Sequence, residues 1–139
     1  MRGRLFWSDG AWEGLHVSQG SAEEPFRVRV TTLALGQAVV TVRGQLDLFT
    51  APRLHEALEE ALELGTRRLV VDLAKVSFID SSALGVLIAV GRKLRAAEGS
   101  LDLVCQDDHV RRVLELTGLD HVFGIHARLE EALSAGRSG

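Results

Sequence analysis

The sequence predicts a single α/β domain with a mixed, mostly parallel sheet, an N-terminal β-hairpin and about four helices. Two observations predict this fold. From Phe26 onward, apolar residues recur first with a period of two and then with a helical period of about 3.6 residues. After the first two strands, strands and helices alternate, which implies parallel strands joined by right-handed crossovers. The 139 residues, 46% of them apolar, suffice for one core.

The predicted order of elements is β-β-α-β-α-β-α-β-α. The first two strands, "FRVRVTT" and "AVVTVRG", form a hairpin with a tight turn at Gly36-Gln37. The later strands are predicted in the segments "RRLVVDL", "LDLVC" and "HVFGI".

The first predicted helix lies in "TAPRLHEALEEALELG", with Thr50 as its N-cap, Pro52 in its first turn and Gly65 at its end. An apolar stripe that includes Leu84 and Leu94 predicts the second helix, which runs to Ala97. The third and fourth helices are predicted in "DDHVRRVLELTG" and "ARLEEALSAG".

The composition argues against several classes of partner. The formal net charge of -3 and a pI near 5.9 give no electrostatic reason to expect a nucleic acid. The basic residues are dispersed, and the densest group, Arg92, Lys93 and Arg95, closes a predicted helix. No apolar run reaches the roughly 20 residues that span a bilayer, and no signal-peptide core follows Met1, so we expect a cytoplasmic protein without a membrane partner. The single cysteine, Cys105, excludes an internal disulfide framework and is expected to be buried.

The first 24 residues differ from the rest of the chain. They show no sustained period, and they contain both tryptophans, Trp7 and Trp12. We therefore predict an irregular leader over residues 1–24, followed by a domain over residues 25–136. The leader is either flexible, or a tail whose tryptophans dock on the domain or on a second subunit.

The stretch "FIDSSALGVL" places three polar residues between two apolar segments. Because a strand precedes it and a helix follows, Asp80, Ser81 and Ser82 lie at a helix N-terminus, where Asp80 or Ser81 can serve as the cap. Capping the helix requires only one polar residue, so it explains the presence of three less well. Ser81 would be presented at the edge of the sheet, where binding sites in such folds tend to lie.

Known catalytic motifs do not match this stretch. A hydrolase nucleophile elbow needs G-x-S-x-G, whereas this sequence reads I-D-S-S-A. Neither a P-loop nor a dinucleotide fingerprint occurs, and no pair of His or Cys has metal-ligand spacing, so no metal and no cofactor are predicted. A phospho-Asp receiver domain would need an acidic pair after its first strand and a Lys after its last strand, and the chain has neither.

Three segments together resemble the STAS domain of anti-sigma factor antagonists. They are "GQLDLFTAPRL", "RLVVDLAKVSFIDSSALGVLI" and "RRVLELTGLDHVF", and the resemblance covers about Phe26 to Leu133. The central motif of the family is D-S-[ST]-G-L-G. This chain has Ala83 at its first Gly, a change that adds a methyl group close to the site.

The resemblance implies a function in partner switching. Such proteins bind a serine-kinase anti-sigma factor and thereby free a sigma factor. The kinase then phosphorylates the first Ser of the motif, here Ser81, which switches the antagonist off until a serine phosphatase restores it. The partner surface implied by the resemblance comprises Asp47, Thr50, Asp80, Ser81, Ser82, Ala83, Leu84 and Gly85.

On this interpretation the chain is a ligand and a kinase substrate, not an enzyme, and it is a monomer or a weak dimer. One alternative is a STAS scaffold subunit of a larger signalling assembly. Another is an enzyme of unknown type that uses Ser81.

Overall fold

The computed structural model describes residues 25–138, which form one five-stranded sheet and four α-helices. The elements are β1 (Arg27–Thr32), β2 (Gln37–Leu46), α1 (Ala51–Glu63), β3 (Arg68–Ile79), α2 (Ser81–Ala96), β4 (Ser100–Val104), α3 (Asp108–Leu116), β5 (Gly124–His126) and α4 (Leu129–Ser138). The predicted order of strands and helices is confirmed. The predicted leader, with Trp7 and Trp12, lies outside the described residues.

The sheet has the spatial order β1-β2-β3-β4-β5. β1 and β2 are antiparallel, and the pairs β2–β3, β3–β4 and β4–β5 are parallel. The hairpin turn lies one residue earlier than predicted. Leu35 and Gly36 have positive φ values of 63° and 73°, while Gln37 already belongs to β2 and is 9% exposed. Gly36 adopts this left-handed conformation without the steric cost of a side chain.

β3 is longer than the predicted "RRLVVDL", because it continues through 12 residues to Ile79. Its register against β2 shifts twice. Thr41 and Arg43 pair with Asp72 and Lys75, so β3 contains one extra residue there. A second extra residue lies between the partners of Gly44 and Gln45. These bulges interrupt the period of two, which is why the strand was predicted too short.

The main core lies between one face of the sheet and helices α1, α2 and α3. Its largest fully buried side chains include Val40, Val42, Leu54, Leu58, Leu73, Leu87, Leu94 and Leu114. Cys105 is 0% exposed within this core, as predicted.

A smaller core lies on the opposite face of the sheet, under α4. It consists of Val39, Val70, Val104 and Ala132, with Leu129 and Leu133 packed against it. Its valines come from the parallel strands β2, β3 and β4 and not from β1. β1 contributes no side chain to this smaller core, so α4 covers only part of the second face.

The last strand is shorter than the predicted "HVFGI". A 3-10 turn over Leu119–His121 takes up its first residue, and β5 begins only at Gly124. Phe123 is nonetheless 5% exposed, because its ring packs against Gly91 of α2. Within residues 25–138, no helix is long and apolar enough to cross a membrane.

Candidate partner-binding corner

The segments containing Asp47 and Ser81 meet at the carboxyl ends of β2 and β3. The last residues of these parallel strands, Leu46 and Ile79, are register partners. The Asp80 N–H donates a 3.0 Å hydrogen bond to the Leu46 carbonyl. The turn after β2 and the first turn of α2 therefore form one corner of the molecule, defined here as residues 47–50 and 80–85.

Asp80 is the N-cap of α2. Its backbone is extended, and its Oδ1 atom accepts hydrogen bonds from the N–H groups of Ser82 at 2.9 Å and Ala83 at 3.3 Å. These are orphan donors of the first helical turn, which an Asp at the N-cap satisfies. Of the two candidate caps in the sequence, the structure selects Asp80.

Ser81 is consequently the first residue of α2, and it is exposed, whereas Ser82 is half-buried. Among the described residues, none forms a hydrogen bond with the Ser81 hydroxyl. The hydroxyl thus has no role in holding the corner together. It lies at a helix N-terminus, where the helix dipole favours negative charge.

The next three residues of the motif divide between core and surface. Ala83 and Leu84 are 0% and 7% exposed, and both belong to the main core. The extra methyl group of Ala83, although close to the site along the chain, is therefore buried in the core. Gly85 is exposed, and a methyl group added there would meet no atom within 4 Å.

Asp47 organises the turn that follows β2. Its Oδ1 atom accepts hydrogen bonds from the N–H groups of Phe49 at 2.9 Å and Thr50 at 3.0 Å. This is the local pattern by which Asp stabilises tight turns. Asp47 is half-buried, so it has a structural role as well as the predicted place at the corner.

Thr50 occupies the N-cap position of α1, but its side chain does not cap the helix. Its Oγ1 atom donates to the Gln45 carbonyl at 2.8 Å and accepts from the Asp47 N–H at 2.9 Å. The hydroxyl is therefore a clamp across the turn. With φ and ψ of -99° and -16°, Thr50 is already helical, unlike a residue that caps with its side chain.

Two apolar side chains at the corner were not predicted as site residues. Leu48 and Phe49 are 63% and 83% exposed at the tip of the turn. Near the end of β3, the Phe78 ring stacks on His109 of α3, with the centroids 5.9 Å apart and 10° between the planes. The sequence contained a signal for Leu48 and Phe49. They form an apolar pair in "LDLF", at a turn, and turns usually carry polar residues.

Residues 25–138 contain neither an activated cysteine nor a group of side chains suited to a metal ion. Burial raises the pKa of the Cys105 thiol, which disfavours the thiolate that a nucleophilic cysteine needs. No group of three or more His, Cys, Asp or Glu within these residues could hold a metal ion.

Comparison with known proteins identifies the family. The STAS domain family matches residues 28–132. The anti-sigma-F factor antagonist RsfB of Mycobacterium tuberculosis is 35% identical over 104 residues, which cover 75% of this chain and 84% of RsfB. An anti-sigma-B factor antagonist of Staphylococcus aureus is 33% identical over 91 residues, covering 66% of this chain and 84% of that protein.

Solved structures give the same result. The crystal structure of an anti-sigma factor antagonist from Mycobacterium paratuberculosis has a TM-score of 0.75 and 35% identity, and the match covers 81% of this chain and 94% of that one. Unphosphorylated SpoIIAA has the same fold, with a TM-score of 0.70 at 23% identity over 81% of this chain and 97% of its own. The chain therefore belongs to the STAS domain family, among the anti-sigma factor antagonists.

Proposed function

We propose that this protein binds a serine-kinase anti-sigma factor through the corner at residues 47–50 and 80–85. Binding frees the sigma factor, phosphorylation of Ser81 by the kinase ends binding, and a serine phosphatase restores the binding form. The names of the relatives support an anti-sigma factor as the partner. On this proposal the chain itself is a ligand and a substrate, and not an enzyme.

The division of roles between Asp80 and Ser81 is the observation that carries the proposal. Asp80 holds the first turn of α2 through two hydrogen bonds. The exposed Ser81 hydroxyl forms no hydrogen bond with any described residue. A phosphoryl group on Ser81 can therefore be added without removing the helix cap. The helix dipole favours its charge, so the fold should survive modification.

Charge explains how the modification ends binding. A phosphoryl group adds about -1.5 to -2 charges at neutral pH. It would be added to a corner that already contains the carboxylates of Asp47 and Asp80. A partner fitted to the unmodified surface would have to desolvate this additional charge. A penalty of about 3 kcal/mol already weakens binding more than a hundredfold.

The exposed apolar residues supply the attractive part of the interface. Leu48 and Phe49 extend from a turn that Asp47 and Thr50 hold by hydrogen bonds. A turn whose backbone is already held loses little entropy on binding, and aromatic residues are enriched at the cores of interfaces. The corner thus combines an apolar anchor with a site where charge can be added.

Reconstitution with the partner tests the proposal. The tagged protein captures its partner from a lysate of its own organism, and mass spectrometry identifies the bound kinase and the modified residue. We expect phosphate on Ser81, its loss in Ser81→Ala, and its retention in the control Ser82→Ala. Phosphate on Ser82 with Ser81 unmodified would contradict the assignment, and tight binding by the phosphorylated protein would contradict the switch.

The mass of the purified protein in solution separates the proposal from the scaffold alternative. An antagonist that exchanges between partners is expected to be a monomer or a weak dimer. A scaffold subunit would instead form a large assembly, which light scattering detects directly.

A further inference from the structure

The second face of the sheet carries a group of cations where α4 does not cover it. Arg27 pairs in register with Arg43, and Arg43 pairs with Lys75, so three cations form one row across β1, β2 and β3. Arg29 lies two residues beyond Arg27 on β1, and all four residues are exposed. We call these four residues the basic face.

The direction of these side chains follows from their neighbours. Val28, Val42 and Val76 each adjoin a residue of the row, and all three are buried in the main core on the first face of the sheet. Successive side chains of a strand point to opposite faces. Arg27 and Arg43 therefore point to the second face, and Lys75 lies on the same face as the register partner of Arg43.

Like charges face each other across the strands of this row. Neighbouring strands lie only about 4.8 Å apart, and like charges directly opposite each other are destabilising. Among the described residues, the side chains of Arg27, Arg29 and Lys75 form no hydrogen bond and no ion pair with one another or with any acid. Asp72 pairs in register with Thr41 in the neighbouring row, and its Oδ1 atom accepts a hydrogen bond from Ala74. An anionic segment on this face would relieve the repulsion.

We propose that the basic face is the docking site of residues 1–24 of the same chain. These residues contain four acids, Asp9, Glu13, Glu23 and Glu24, and two cations, Arg2 and Arg4, a formal charge of -2. The segment is thus opposite in charge to the basic face.

Because residues 1–24 are connected to β1, they are favoured over a separate molecule as the occupant of the basic face. Residue 24 precedes β1 by two residues, and β1 is the edge strand that carries Arg27 and Arg29. Twenty-four extended residues reach up to about 80 Å, far more than the width of three strands, about 10 Å. A tethered segment also has a millimolar effective concentration, which a free acidic peptide seldom has.

The tryptophans add a second attraction. An Arg guanidinium binds the face of a Trp ring, the best of the aromatic partners for a cation. Trp7 and Trp12 lie within the same segment as the acids, and the basic face offers at least two arginines that have no described partner, Arg27 and Arg29. Docking of the segment would therefore remove both indoles from water.

Intrinsic fluorescence tests the proposal on the intact protein. Trp7 and Trp12 are the only tryptophans of the chain, so the emission reports residues 1–24 alone. We expect blue-shifted emission and protection from acrylamide, compared with the urea-unfolded chain. Raising the NaCl concentration should reduce the protection, because salt screens exposed charges.

Two sets of variants identify the contact surface. The triple variant Arg27→Gln, Arg29→Gln, Lys75→Gln should lose the protection, and so should Asp9→Asn, Glu13→Gln, Glu23→Gln, Glu24→Gln. The control Arg92→Gln, Arg95→Gln, Arg112→Gln removes three exposed cations elsewhere and should retain it. Circular dichroism verifies that each variant is folded.

The proposal is overturned if the emission of the intact protein equals that of the unfolded chain. It is also overturned if the triple variant and its control behave alike, since the tryptophans would then be held by another surface. If the tryptophans are unprotected, and a labelled acidic polypeptide binds the protein but not the triple variant, the basic face belongs to a separate molecule and the proposal is wrong.

Discussion

The Asp80 N–H and the Leu46 carbonyl are joined by a 3.0 Å hydrogen bond at the end of two paired strands. Leu46 directly precedes the Asp47 turn, and Asp80 directly precedes Ser81. The bond therefore fixes the position of Ser81 relative to Leu48 and Phe49. A partner that contacts both segments meets a preformed surface, which lowers the entropy cost of binding.

The charge and the capping role of Asp80 can be separated by two substitutions. Asp80→Ala removes the acceptor for Ser82 and Ala83 and should cost about 1 kcal/mol of unfolding free energy. Asp80→Asn retains an acceptor, so it should keep the stability while removing a negative charge from the corner. Urea denaturation measures both effects. Equal loss of stability in the two variants would contradict the capping role.

The Thr50 hydroxyl should contribute to stability although it does not cap α1. Thr50→Val leaves the Asp47 N–H and the Gln45 carbonyl without their partner and should lower the unfolding free energy by about 1 to 2 kcal/mol. Thr50→Ser keeps the hydroxyl and should lose much less. Thermal and urea unfolding of the three proteins check this order. A Thr50→Val variant with an unchanged unfolding free energy would disprove the clamp.

Exposed apolar residues at the corner should matter for binding and not for folding. Leu48→Ala removes a side chain that is 63% exposed, so stability should change by less than about 0.5 kcal/mol. Affinity for the partner should fall. The matched control is Leu64→Ala, since Leu64 is 60% exposed at the other end of α1. Calorimetric titration that shows equal affinities for both variants would exclude Leu48 from the interface.

Two glycines of α2 should respond oppositely to the same substitution. A methyl group at Gly91 would lie 2.6 Å from Cε1 of the buried Phe123, whereas at Gly85 it would meet no atom within 4 Å. Gly91→Ala should therefore destabilise the domain by about 1 to 3 kcal/mol. Gly85→Ala should stabilise it by up to about 1 kcal/mol, because alanine favours the helix. Unfolding midpoints that move in the same direction would contradict this contrast.

The sequence alone predicted those features that depend on local pattern. The alternation of periods predicted the element order, and the polar interruption at Asp80 predicted the start of α2. The resemblance to STAS domains added Asp47, which the structure places at one corner with Ser81.

What the sequence did not predict depends on contacts between distant segments. The bulges of β3 are visible only against the register of β2. Arg27, Arg43 and Lys75 looked dispersed because they are far apart along the chain, and only strand pairing aligns them. Thr50 is the N-cap residue of α1, as predicted, but the sequence did not show that its hydroxyl bonds to the Gln45 carbonyl and the Asp47 N–H instead of capping the helix.

The order of strands in the sheet is also their order along the chain. Every strand therefore pairs with the strand synthesised just before it, and none has to be inserted later between two existing neighbours. During translation the sheet can grow from β1 toward β5 by one strand at a time. Such a topology leaves few opportunities for kinetic traps in which a late segment must displace an early pairing.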